Sequence, residues 1–278
     1  MYRIVAKEKL TSVIHYVKME APAISQKAKA GQFVIIRVDD VGERIPLTLA
    51  DWDAKEGTVT LVAMEVGTST KKLSLLKVGD SVIDLVGPLG LPAEIEKFGT
   101  VICVGGGVGI APIYPIARAL KQGGNKIISI IGARCKDLLF WEDRMKMVSD
   151  ELIATTDDGS YARKGLVTEP LKEVIEREKV DRVIAIGPAV MMKFCSLTTK
   201  PYGVPTIVSL NSIMVDGTGM CGCCRLSVGG VTKFACVDGP DFDGHKVDWD
   251  TVFARQKVYL EEEKLSLEKW EACHCIKS

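Results

Sequence analysis

Apolar and polar positions alternate, or apolar residues run in short blocks, through most of the first hundred residues. Five stretches stand out: YRIVAKEKL from Tyr2, TSVIHYVKM from Thr11, QFVIIRV from Gln32, TVTLVAMEV from Thr58 and SVIDLVG from Ser81. They are rich in β-branched residues, and glycine, aspartate or proline separates them. A period of two broken by turn residues predicts strands, and strands this closely spaced predict a small antiparallel barrel. One short helix is expected among them, at STKKLSLL from Ser69.

From Gly99 the rhythm changes. The apolar run TVICVG precedes the helical pattern IAPIYPIARALKQ, and KIISIIG precedes a helix near DLLFWEDRMKM. ELIATT is followed by GLVTEPLKEVIEREK, RVIAIG by PAVMMKFCSLTT, and PTIVSLN closes the series. Strands alternating with helices predict a parallel, doubly wound α/β sheet. A glycine- and cysteine-rich loop comes next, then one charged helix from Asp248 to Trp270. The expected segments are 1–98 (barrel), 99–211 (α/β domain), 212–245 (cysteine loop domain) and 246–278 (helix and tail).

The 278 residues suffice for two domains and an appendage, and 36 basic residues balance 36 acidic ones. With no basic excess to attract phosphate, neither a nucleic-acid nor a membrane surface is expected. The stretch from Phe98 to Ala117 is uncharged and about as long as a bilayer is thick. Its glycines and prolines fit a strand, a turn and a helix better than a membrane span. No secretory signal is recognisable at the N-terminus, so a cytoplasmic location with reduced thiols is expected.

GGGVGIAP joins the first α/β strand to its helix, with Gly107, Val108, Gly109 and Pro112 in the turn. Glycine there admits positive φ and close approach of a diphosphate, which the helix N-terminus would attract. A tight turn alone is the other reading. Three further strand ends would share that edge: Gly132, Ala133 and Arg134; Asp157 and Asp158; and Gly187, Pro188 and Met191. The two aspartates could equally cap a turn. In the barrel, Arg44, Pro46, Leu47 and Thr48 lie together, an arginine fork for phosphate beside a hydroxyl donor. Gly67, Thr68, Ser69 and Thr70 open the short helix, as an anion site or simply an N-cap.

Four of the nine cysteines, Cys221, Cys223, Cys224 and Cys236, fall between Val215 and Gly239. A disulfide is disfavoured where thiols stay reduced. Zinc would accept the four thiolates tetrahedrally, and an iron–sulfur cluster would use three or four ligands from a loop that wraps tightly. Spacing leaves both open. Cys103, Cys135 and Cys195 read as small buried residues, and Cys273 and Cys275 as thiols of a mobile terminus without metal.

Three such sites in this order resemble the ferredoxin-reductase-like flavoproteins, through the run from Arg44 to Thr48 and the run from Gly107 to Pro112. Within them the chain is similar to the electron-transfer subunits of dihydroorotate dehydrogenase. It is more similar to the small subunits of electron-bifurcating NADH-dependent ferredoxin:NADP oxidoreductase, a transhydrogenase, because the sequence continues well past Cys236. The resemblance implies FAD on the barrel, held by Arg44 to Thr48, Ala63 and Gly67 to Thr70, and NAD(H) on the α/β domain. It implies a [2Fe-2S] cluster on Asp216, Cys221, Cys224 and Cys236; Cys223 would be the fourth ligand if Asp216 only caps the loop. Arg134 and Lys136 stand where a 2′-phosphate could sit, although the resemblance implies NAD. A larger partner subunit carrying flavin and [4Fe-4S] clusters is implied, with ferredoxin reached through that heterodimer. No acid–base residue need act, since hydride passes directly between stacked rings. A dihydroorotate dehydrogenase electron-transfer subunit and a zinc-stabilised nucleotide-binding module without redox role are the alternatives.

Overall fold

The computed structural model describes residues 1–273. The first half contains β1 (Tyr2–Lys9), β2 (Ile14–Glu20), α1 (Pro22–Ser25), β3 (Phe33–Arg37), β4 (Ile45–Asp53), β5 (Thr58–Met64), α2 (Thr68–Leu75), β6 (Ser81–Val82) and β7 (Asp84–Leu89). Its strands form one antiparallel sheet in the order β6-β1-β2-β5-β4-β3-β7. The edge strands β6 and β7 are separated in sequence by Ile83 alone, so the sheet must curl until its edges meet. Register shifts in β1, β3 and β4 supply curvature, as bulges do. Val17, Met19, Val34, Ile36, Leu49 and Leu61 fill the interior.

The second half contains β8 (Thr100–Gly106), α3 (Ile110–Gln122), β9 (Lys126–Ala133), α4 (Glu142–Met147), β10 (Glu151–Thr156), β11 (Arg163–Lys164), α5 (Thr168–Arg177), β12 (Arg182–Ile186), α6 (Ala189–Thr199) and β13 (Thr206–Ser209). The cysteine region adds the hairpin β14 (Arg225–Val228) and β15 (Val231–Phe234), then β16 (Asp241–Asp243). The sheet order β11-β10-β9-β8-β12-β13-β16 is parallel except for β16. Winding outward both ways from β8 places a topological switch between β8 and β12. The uncharged stretch around Gly105 is strand, turn and helix, as its composition predicts, and among the described residues no helix is long and apolar enough to cross a membrane.

Two sequence expectations change. The charged helix is two helices, α7 (Trp249–Gln256) and α8 (Leu260–Cys273). Trp249 and Val252 of α7 are buried in the core that also holds Cys224 and Cys236, whereas α8 runs back to the barrel. There Ser266 meets Thr68 (Oγ–Oγ 3.1 Å) and Glu271 pairs with Lys71. One straight helix could not serve both surfaces. In addition, β16 from the cysteine region pairs with β13 and covers the edge of the nucleotide-type sheet.

Barrel and sheet are packed together. Ile14, Ala50 and Val62 share a core with Ile110, Ile113 and Ile116. The Arg118 guanidinium bonds Asp51 at 2.8 Å and stacks over the Tyr114 and Trp52 rings at 5.2 and 5.6 Å.

Candidate functional site

On β4, Ile45, Leu47 and Leu49 turn into the barrel. Strand alternation therefore puts Arg44, Pro46, Thr48 and Ala50 on the outer face, toward the α/β half. Leu47 thus serves packing rather than the outer surface. Arg44 is 39 % exposed and lies 3.5 Å from Asp84, a carboxylate it shares with Arg37 at 2.7 Å. Ala63 is buried at the end of β5. Nearby, His15 and Glu65 form a hydrogen-bonded pair that the sequence reading did not single out.

At α2, the Thr70 hydroxyl accepts N–H bonds from Val66 (3.0 Å) and Gly67 (3.1 Å). Thr70 is thus a cap, and Ser69 is buried. Thr68 is engaged by Ser266, so the anion-site reading keeps chiefly the backbone at Gly67, beside which space is open.

Four strand ends form one edge. Gly106 pairs in register with Gly132, Ala133 with Thr156, and Ile186 with Gly105. At the turn after β8, Gly107 has φ +54° and open space where a side chain would go. Val108 and Pro112 flank that turn. Gly109 differs: its Cα lies against the Ile186 carbonyl, and a Cβ would fall inside contact distance. Gly107 can face a ligand, whereas Gly109 lets α3 close on β12. Met191 lies between Gly106 and Gly187, and Pro188 caps α6. The Asp157 and Asp158 amides bond the carbonyls of Ala133 and Arg134, at 3.1 and 3.2 Å. Asp158 accepts from Ser160, and that bonding holds its carboxyl below the ordinary range, so Asp158 is a turn cap. Arg134 is exposed at the same edge.

In the cysteine loop, Asp216 accepts the Thr218 amide at 2.8 Å and the Cys221 amide at 3.0 Å. The Thr218 bond foremost, with those from Cys221, keeps Asp216 an anion of lowered pKa. Cys224 and Cys236 are buried, their sulfurs 3.2 Å apart. Burial pushes the Cys236 thiol up to about 12, and Cys224 and Asp216 add to the effect. Cys221 is exposed and its thiol is lowered, first by the Cys223 backbone amide. Among the described residues no three His, Cys, Asp or Glu side chains converge on a single ion position. The groups stand instead as Cys224 with Cys236 and Asp216 with Cys221, with Cys223 against Cys221. Two pairs suit two irons, each taking two protein ligands, whereas zinc needs four around one centre.

The remaining thiols lie away from this loop. Cys103 and Cys195 are buried, with thiols pushed to about 12, as befits core residues. Cys135 is only half-buried, against expectation, because it stands where β9 has already ended. Cys273 is exposed at the end of α8, and Cys275 lies outside the described residues.

The cysteine module rests directly on the barrel. Phe33 and Ile35 pair in register with Thr48 and Pro46 and share a core with Cys224 and Cys236. A barrel, a nucleotide-type sheet and a cysteine module in mutual contact define a ferredoxin-reductase-like electron-transfer protein.

Comparison with known proteins specifies the family. Residues 103–196 match the oxidoreductase NAD-binding domain, and residues 211–248 match the iron–sulfur cluster binding domain of dihydroorotate dehydrogenase B. A homologue of the dihydroorotate dehydrogenase B (NAD(+)) electron transfer subunit from Thermotoga maritima is 51% identical over 267 residues, 96% of this chain and 94% of that protein. A probable subunit of the same kind from Methanocaldococcus jannaschii is 36% identical over 82% of this chain and 84% of its own length. A solved structure of NADH-dependent reduced ferredoxin-NADP oxidoreductase, studied for flavin-based electron bifurcation, contains a chain 49% identical to this one. It matches with TM-score 0.93 over 97% of this chain and 98% of that one. The chain belongs to the family of dihydroorotate dehydrogenase B electron-transfer subunits and their homologues.

Proposed function

We propose that this protein is the small, NAD(H)-linked subunit of an electron-bifurcating NADH-dependent ferredoxin:NADP oxidoreductase. The observation that carries the reading is the contact between sites: Thr48 and Pro46 are one strand from Phe33 and Ile35, on which the cysteine loop rests. Electrons arriving at the outer face of β4 would have only that layer to cross.

FAD bound there would supply the conversion between a two-electron hydride and the single electrons of a cluster. Arg44 and the α2 N-terminus would hold its diphosphate, and the outer face of β4 would orient its ring. The β8, β9 and β12 ends would hold the nicotinamide nucleotide, with the Gly107 backbone against its diphosphate. Asp216, Cys221, Cys224 and Cys236 would hold a [2Fe-2S] cluster. Residues 1–98, 99–211, 212–245 and 246–278 would be the corresponding units. The partner would be a larger subunit bearing flavin and [4Fe-4S] clusters that exchanges electrons with ferredoxin, in the cytoplasm.

The test is anaerobic purification with whatever subunit accompanies the chain, followed by metal analysis, absorption spectroscopy and rapid-mixing reduction by NADH. Two irons per chain and flavin bleaching by NADH are expected; a colourless, zinc-containing protein would refute the reading. The match of residues 211–248 favours a second reading, electron transfer for a dihydroorotate dehydrogenase. NAD-dependent oxidation of dihydroorotate by the purified complex would select it.

A further inference from the structure

A loop that encloses an anionic cluster must turn its peptide N–H groups inward and its carbonyls outward. The loop from Asp216 to Cys224 has the backbone for this, with Gly217, Gly219 and Gly222 at φ +77°, +86° and +67°. One carbonyl is held locally and one from a distant helix: the Arg225 amide bonds the Gly222 carbonyl at 3.2 Å. Arg225, at the start of β14, donates from Nη1 to the Gly222 carbonyl at 3.1 Å. Arg255, in the last turn of α7, donates from Nη2 to the Cys223 carbonyl at 2.7 Å. Gly222 and Cys223 are the two residues between Cys221 and Cys224, so the carbonyl of each is held. Both arginines line one small cavity together with Val252 and Asn211. Gln256 bonds the Asn211 carbonyl at 3.3 Å, so α7 also holds the chain that leads into the loop.

The partners of the two arginines also matter for charge. Arg37 and Arg44 share the Asp84 carboxylate, Arg118 and Arg144 share Asp51, and Arg163, Arg177 and Arg182 pair with glutamates. Among the described residues Arg225 and Arg255 have carbonyl partners in place of carboxylates. Their positive charge therefore remains available to whatever the loop encloses.

We propose that Arg225 and Arg255 form a guanidinium clamp on the Cys221–Cys224 loop that shapes it for an iron–sulfur cluster and raises that cluster's reduction potential. Positive charge beside a cluster favours its more negative, reduced state. Arg255 is a positioning residue, and it gives α7 a task at the cluster. The inference rests on the reading of this loop as a cluster site.

The experiment uses the full chain with its cluster, purified anaerobically. Arg255→Gln and Arg225→Gln keep a donor but lose the charge. Each should retain iron and lower the midpoint seen by paramagnetic resonance during redox titration. Arg255→Lys should return the midpoint toward wild type, yet release iron to a chelator on the order of tenfold faster, because the shorter ammonium does not reproduce the Nη2 bond to the Cys223 carbonyl. Lys264→Gln, on α8, should change nothing. Glutamine variants with wild-type midpoints and wild-type iron release would overturn the clamp. A second measurement does not need iron: in the iron-free full chain, Arg255→Met should speed hydrogen exchange at the Gly222 and Cys223 amides. Unchanged exchange there overturns the clamp, whereas a wild-type protein unable to hold iron refutes the cluster reading itself.

Discussion

Gly217 lies against Ile35: a Cβ on Gly217 would stand 2.9 Å from Ile35 Cγ1 and 2.6 Å from Leu89 Cδ1. Gly217 follows Asp216 of the cysteine loop, and Ile35 pairs across the ladder with Pro46 of the outer flavin-type face. The junction between two sites is thus one residue deep. Gly217→Ala adds overpacking to a backbone at φ +77°, and should cost about 2–4 kcal/mol of stability. Thermal denaturation measures the loss. Slower passage of electrons from flavin to cluster, in rapid-mixing experiments, measures the undocking.

The two glycines of the nucleotide turn should separate. Gly109→Ala drives a methyl into the Ile186 carbonyl and should destabilise the fold by about 2 kcal/mol or more. Gly107→Ala meets open space and should cost only about 1 kcal/mol for its positive φ. Its NADH affinity should nevertheless fall, because the methyl occupies the side from which a diphosphate approaches. Denaturation midpoints and NADH titration of the two variants distinguish packing from binding.

Asp216 and Cys223 compete for the fourth ligand position. Asp216→Cys should keep two irons, since charge and reach are preserved, and shift the midpoint. Asp216→Ala should lose the cluster, while Cys223→Ser should leave iron content and spectrum near wild type. Iron analysis and paramagnetic resonance decide the matter. The reverse pattern would assign the position to Cys223.

Asp241 gives a pH signature. Burial raises its carboxyl from the ordinary 3.8 to about 6, and its Oδ1 has no partner. Below pH 3.8 both folded and unfolded chains carry the proton, and no difference arises. As pH rises toward 6 the unfolded chain ionises first, so this group's contribution to stability falls, by about 3 kcal/mol in all. Asp241→Asn should remove that slope and be more stable than wild type at pH 8 by about 1–3 kcal/mol. Chemical denaturation of both proteins at pH 5 and pH 8 provides the comparison.

Local pattern made much of this legible. The turn from Gly105 to Pro112 and the helix after it follow from an apolar strand, glycines and a proline, which act within a few residues. The segment Asp241–Asp243 has one apolar residue and no strand signature; it is a strand because β13 offers an unpaired edge. The break between α7 and α8 is likewise invisible locally, because separate surfaces capture the two halves of one charged run. Arg255 looks like any solvated arginine on a helix, and its partner carbonyl is 32 residues away. Gly67 to Thr70 read as an anion site or an N-cap; Thr70 caps the helix, and the bond of Thr68 to α8 has no local signal.

The bond between Thr68 and Ser266 joins residues 198 positions apart. During synthesis, at roughly 5–20 residues per second, the barrel would emerge tens of seconds before α8 exists to cover α2. The flavin-type half must therefore persist without its final contact while the rest of the chain is made. Helix α2 stays uncovered throughout that interval, and its contacts with Ser266 and Glu271 form only after those residues have been made.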